Sequence, residues 1–113
     1  MHEFSIMQAA LETAAEKTRA AGATQIHRLT VRVGTLSGVV PAALRFAFDA
    51  LKDQSLAAQA EMVIEEVPAV GWCADCAAEF AATDLHYECP RCHQPSGDLR
   101  RGKEMELASL EIS

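Results

Sequence analysis

Four cysteines stand in two pairs, Cys73-Ala74-Asp75-Cys76 and Cys89-Pro90-Arg91-Cys92, separated by residues 77–88. A Cys-x-x-Cys turn brings two sulfurs close enough to share one ion. The connection is long enough for a short hairpin, so the pattern reads as a tetrathiolate zinc site. Four thiolates would close a tetrahedral shell around Zn(II) and leave no position for water. Such a site is structural and not catalytic. Zinc binding to a small module of this kind is worth on the order of 10–16 kcal/mol near neutral pH. Three other chemistries use the same residues. Each Cys-x-x-Cys pair could be a redox couple, although neither sits at a strand-to-helix junction. The shell could hold iron. Cys89-Pro90-Arg91-Cys92-His93 also matches the haem attachment pattern CxxCH, which the second, nearby pair argues against.

Four histidines accompany the cysteines. His86 and His93 lie beside the cluster. They read as exposed loop residues, or, for His93, as a modulator able to exchange with a thiolate when metal state or pH changes. His27 falls in a strand-like segment and reads as a surface or partly buried residue. The chain begins Met1-His2-Glu3-Phe4-Ser5. It offers imidazole nitrogen from His2, carboxylate oxygen from Glu3, a terminal amine, and backbone amides ahead of the first helix. That donor set can build a planar or octahedral N/O site suited to Ni(II) or Cu(II). The plainer reading is a frayed tail. Phe4 would pack back as a hydrophobic staple.

These residues need elements to position them. Ser5 and Gln8 match a capping box, and Met7, Ala10, Leu11, Ala14 and Thr18 recur at helical spacing. The expected helix runs from about Ser5 to Ala21, with Gly22 as its C-terminal glycine. In Ile26–Val33, Leu29, Val31 and Val33 alternate with Thr30 and Arg32, which predicts a half-buried strand. Gly34 and Ser37-Gly38 mark a loop. Pro41 suits the first position of a second helix, carried by Leu44, Ala47, Phe48 and Leu51 to about Asp53. Glu61–Val67 and Met105–Ile112 read as strands. The apolar phase of the latter switches at Ala108, which signals a bulge. Between Pro68 and Lys103 no period of 3.6 or 2 persists. The expected fold class is therefore α+β: two helices on a three-stranded mixed sheet, with an inserted zinc-ribbon module. The expected domains are 1–68 plus 103–113 and 69–102.

Of the 113 residues, 50% are hydrophobic but only 5% are aromatic, so a core of small side chains would gain from a staple. The net charge of −6 argues against a sequence-independent grip on nucleic acid or an anionic membrane. No stretch approaches the roughly 18 apolar residues that would span a bilayer. Glu3 stands where a signal peptide carries Lys or Arg. A cytoplasmic protein is expected, in which thiols stay reduced and bind metal.

Four spaced motifs together carry a resemblance. Met-His-Glu-Phe-Ser at the start, Val31-Arg32-Val33-Gly34-Thr35-Leu36-Ser37, Phe46-Ala47-Phe48-Asp49, and CxxC…CxxCH late in the chain resemble the HypA/HybF family. These are nickel metallochaperones of nickel-iron hydrogenase maturation. The resemblance covers essentially the full length. It implies a non-enzymatic carrier that keeps its initiator Met and uses His2 as the essential nickel ligand, with Glu3 in support. It implies structural zinc on Cys73, Cys76, Cys89 and Cys92. It also implies a GTPase partner, delivery of Ni(II) to the hydrogenase large subunit, and in some bacteria supply of urease. A homodimer is left open. Some family members carry an acidic residue in the loop after the first strand. Here Gly38-Val39-Val40-Pro41 has none, which puts any nickel contribution from that loop in doubt. The alternative is a zinc-ribbon protein–protein or nucleic-acid accessory module.

Overall fold

The computed structural model describes residues 2–82 and 88–113; His86 lies outside them. The elements are α1 (His2–Ala20), β1 (Ile26–Gly34), α2 (Pro41–Leu51), a 3-10 turn (Lys52–Gln54), β2 (Glu61–Val67), β3 (Val70–Cys73), β4 (Ala78–Ala81), β5 (Leu99–Arg101) and β6 (Met105–Ile112). They form two three-stranded sheets, ordered β2-β1-β6 and β4-β3-β5. In the first sheet β1 runs parallel to β2 and antiparallel to β6, so the sheet is mixed. The parallel pair requires a crossover, and α2 supplies it.

Period-2 alternation in β1 buries Leu29, Val31 and Val33 beneath the helices. Met7, Leu11 and Ala14 of α1 and Leu44, Ala47 and Phe48 of α2 meet them in one apolar cluster. On the uncovered face, Arg28 lies between Glu61 and Glu111, and Arg32 between Glu65 and Glu106, at 3.2–3.5 Å. These exposed pairs contribute little each, but they match strand to strand in register. The phase switch in β6 is a bulge. Thr30 pairs with Ser109 and Val31 with Leu107, leaving Ala108 as the extra residue.

One boundary differs from expectation. Helix α1 starts at His2, a turn upstream of Ser5, so Ser5 is not the capping residue and Phe4 is not a staple outside the helix. Tertiary contacts override the capping box. Phe4 packs against the main apolar cluster, and the Glu3 carboxylate accepts the Val40 N–H at 3.2 Å. An acidic residue in the first turn also suits the helix dipole.

The second sheet lies between β2 and β6 in sequence. It has its own small cluster of Cys73, Phe80 and Cys89, with Cys76 and Cys92 packed against it. The radius of gyration is 17.2 Å, against roughly 13 Å for a compact chain of this length. Two separate packed bodies account for the difference.

The bodies meet where backbone touches backbone. A Cβ on Gly34 would lie 2.1 Å from the Gly102 carbonyl carbon and oxygen. The loop after β1 ties down both connections to the second sheet. Gly34 N–H donates to the Glu104 carbonyl and Leu36 N–H to the Gly102 carbonyl, each at 2.7 Å. Thr35 N–H donates to the Val67 carbonyl, and Thr35 Oγ1 accepts the Ala69 N–H, each at 3.0 Å.

Candidate metal sites

The tip of the β3–β4 hairpin carries the first cysteine pair. Cys73 ends β3, Ala78 begins β4, and the two are register partners. The second pair sits in a loop closed by a Glu88–Pro95 bridge, with Cys89 N–H donating to the Gln94 carbonyl at 3.1 Å. The two turns share one backbone device. The residue after the second cysteine of each pair, Ala77 or His93, adopts positive φ (49° and 62°). This bend curls each turn back on itself, and His93 N–H reaches the Cys89 carbonyl at 2.8 Å. Gly or Asn would signal such a bend in sequence; Ala and His do not.

The four sulfurs lie within 4.8 Å of one another. Cys73 and Cys92 are 3.5 Å apart, and Cys76 and Cys89 are 3.9 Å apart. A tetrahedral shell with zinc–sulfur bonds of about 2.3 Å has edges of about 3.8 Å, so this donor set fits one such ion. Electrostatics among the four thiols is uneven. The Cys92 N–H directed at Cys89 is the main cause that brings the Cys89 thiol down to about 6, with the Arg91 N–H adding to it. Cys76 is pushed up to about 12, chiefly by its contact with Cys92 and then by burial. Four crowded sulfurs cannot all ionise without a cation among them. Among the described residues, Phe80 is the one non-cysteine member of this small cluster. The four cysteines are therefore also the core of the second body.

His93 lies just outside the sulfur shell, with Nδ1 3.3 Å from Glu88 Oε1, and is well exposed. It is not among the residues brought together as ligands. His27 is exposed on β1, with Nε2 2.6 Å from Ser113 Oγ.

His2 and Glu3 occupy the first turn of α1. His2 is exposed, and Glu3 is half-buried. The first four N–H groups of a helix have no intrahelical acceptor. The Glu3 carboxylate is held below the usual carboxylate range, first by its own backbone N–H and then by that of Val40. The loop that lacks a carboxylate of its own thus meets the N-terminal turn through Glu3. Sequence reasoning missed Val40, Thr35 and the Gly34–Gly102 contact. Gly34 read only as a loop marker, and an amide donor carries no side-chain signal.

An α+β base, an N-terminal turn bearing imidazole and carboxylate, and a tetrathiol cluster on a separate sheet define a small protein with two candidate metal sites. The comparisons make this specific. A family profile described as "Hydrogenase/urease nickel incorporation, metallochaperone, hypA" matches residues 1–112. The chain is 46% identical over 112 residues to a hydrogenase maturation factor HypA from Picosynechococcus sp., covering 99% of each. It is 42% identical to one from Chloroflexus aurantiacus, covering 98% of each. It is also similar to the solution structure of the Ni metallochaperone HypA from Helicobacter pylori. There the TM-score is 0.70 at 27% identity, covering 97% of this chain and 96% of that one. The chain belongs to the HypA family of hydrogenase maturation nickel metallochaperones.

Proposed function

We propose that this chain binds Ni(II) at its N-terminus and delivers it during maturation of nickel-iron hydrogenase. His2 is the principal side-chain ligand. Glu3 supports it, through a carboxylate that also accepts the Val40 N–H. The observation that carries this reading is an exposed His2 in a helical first turn, within a full-length family match. A carrier must capture metal and release it, and a few exposed N/O donors suit that better than a closed thiolate cage.

The four cysteines hold structural Zn(II). Support comes from the sulfur spacing and from a second body with almost no other core. Residues 1–68 plus 103–113 form the nickel-binding domain and residues 69–102 the zinc ribbon, each with its own sheet. His93 modulates the zinc shell from outside. The partners of this reading are a GTPase of the maturation system and the hydrogenase large subunit, with urease as a second client. Free thiols in a metal-ready cluster fit a reducing, cytoplasmic setting. A nucleic-acid role is disfavoured by charge, since residues 69–102 hold three Arg against five Asp and Glu.

The test is metal analysis with calorimetric nickel titration of protein bearing a native, untagged N-terminus. The expected result is one retained zinc and one exchangeable nickel. His2→Ala should lose the nickel isotherm and keep zinc and fold. Identical nickel isotherms for the two proteins would sink the assignment.

A further inference from the structure

The second sheet carries a groove beside the cysteine cluster, with Cys73 in its wall. It has a volume of about 330 Å³ and lies between the first cysteine turn and segment 94–98. Among the described residues, its lining includes Trp72, Asp75, Ser96 and Asp98 and no basic side chain. That size is at the low end for ligand pockets, roughly 300–1,000 Å³. It suits the side chains of a short segment better than a bulky cofactor.

We propose that this groove docks an Arg-bearing segment of a protein partner, held between the Trp72 indole and the Asp75 carboxylate. The molecule already shows how a guanidinium is received here. Arg100 lies 4.7 Å from the centre of the Trp72 ring and 3.2 Å from Asp98 Oδ2. This is a cation–π contact completed by a carboxylate. Hydrogen bonds to its main chain hold the strand that carries the indole. Trp72 N–H donates to the Asp98 carbonyl at 2.9 Å, and the Trp72 carbonyl accepts the Ser96 hydroxyl. Arg100 satisfies Asp98, whereas Asp75 is exposed and has no ion pair among the described residues. A second guanidinium beside Asp75 would give that carboxylate the kind of partner Asp98 already has. An acidic segment or a nucleic acid would bring negative charge beside the unpaired Asp75, and an apolar segment would leave Asp75 unmatched.

Trp72 is the only tryptophan, so its emission reports on the groove directly. Zinc-loaded, nickel-free full-length protein is titrated with an Arg-Gly repeat peptide and with its Glu-Gly counterpart. The Arg peptide should shift Trp72 emission saturably, with affinity that falls as salt rises, and the Glu peptide should be silent. Asp75→Asn should weaken binding by roughly three- to fivefold, the range of an exposed ion pair. Glu16→Gln on α1, outside the groove, should leave it unchanged. Zinc content is checked first for both variants. If Asp75→Asn fails to hold zinc, the two peptides and the salt series on the unaltered chain still decide. No saturable emission change, equal binding of both peptides, or equal effects of the two substitutions would overturn the proposal.

Discussion

Replacing Gly34 by Ala would force a methyl group into the junction between the two sheets. The added carbon would sit 2.1 Å from Gly102 backbone atoms and 2.5 Å from the Lys103 nitrogen. Backbone on both sides of the contact cannot rotate away as a side chain would, so the strands must part by more than an ångström. Two hydrogen bonds of 2.7 Å span that gap, from Gly34 to Glu104 and from Leu36 to Gly102. At about 0.5–1.5 kcal/mol net for each bond, the loss is about 1–3 kcal/mol. For a domain of this size that is roughly 4–12 °C in melting temperature. Gly97→Ala is the control, because a Cβ there meets nothing within 4 Å and its φ is not positive. The assay is thermal unfolding of zinc-loaded protein followed by circular dichroism, with zinc and nickel stoichiometry measured below the transition. Gly34→Ala should melt lower while retaining both metals, since neither site is touched. A melt indistinguishable from that of Gly97→Ala would refute the steric argument.

Three further outcomes are expected. Cys73→Ser opens the sulfur shell and removes a member of the second core. Zinc should fall below one per chain, and amides of β3 and β4 should lose hydrogen-exchange protection while β1 keeps it; full zinc retention would contradict this. His93→Gly relieves a positive-φ strain of about 1 kcal/mol. It should keep zinc at neutral pH without lowering ribbon stability, and zinc loss would place the imidazole inside the shell. Glu3 has a folded value below 4.5, so its bond to Val40 is fully present above that pH. The bond is lost as pH falls through the lower folded value. The Val40 amide resonance should inflect below 4.5 and lie flat in Glu3→Gln, and an inflection at or above 4.5 would count against the contact.

The sequence by itself determined the elements with strong periodicity and the residues with strong chemistry. Glu61–Val67 and Met105–Ile112 match β2 and β6, and the phase switch at Ala108 located the bulge. Alternation and bulging are local, because each side chain's face follows from its neighbours along the strand. The cysteine spacing likewise announced that four sulfurs would converge, since two Cys-x-x-Cys turns can close only a few shells. Tertiary structure decided the rest. Helix α1 gains its first turn because Phe4 finds the core and Glu3 finds Val40, contacts made across 37 positions of sequence in the second case. Gly34 is required because Gly102, far along the chain, comes back against it. The groove at Trp72 exists because segment 94–98 folds over the first cysteine turn. All three depend on which distant backbone atoms become neighbours, and that information is not contained in local spacing or residue type.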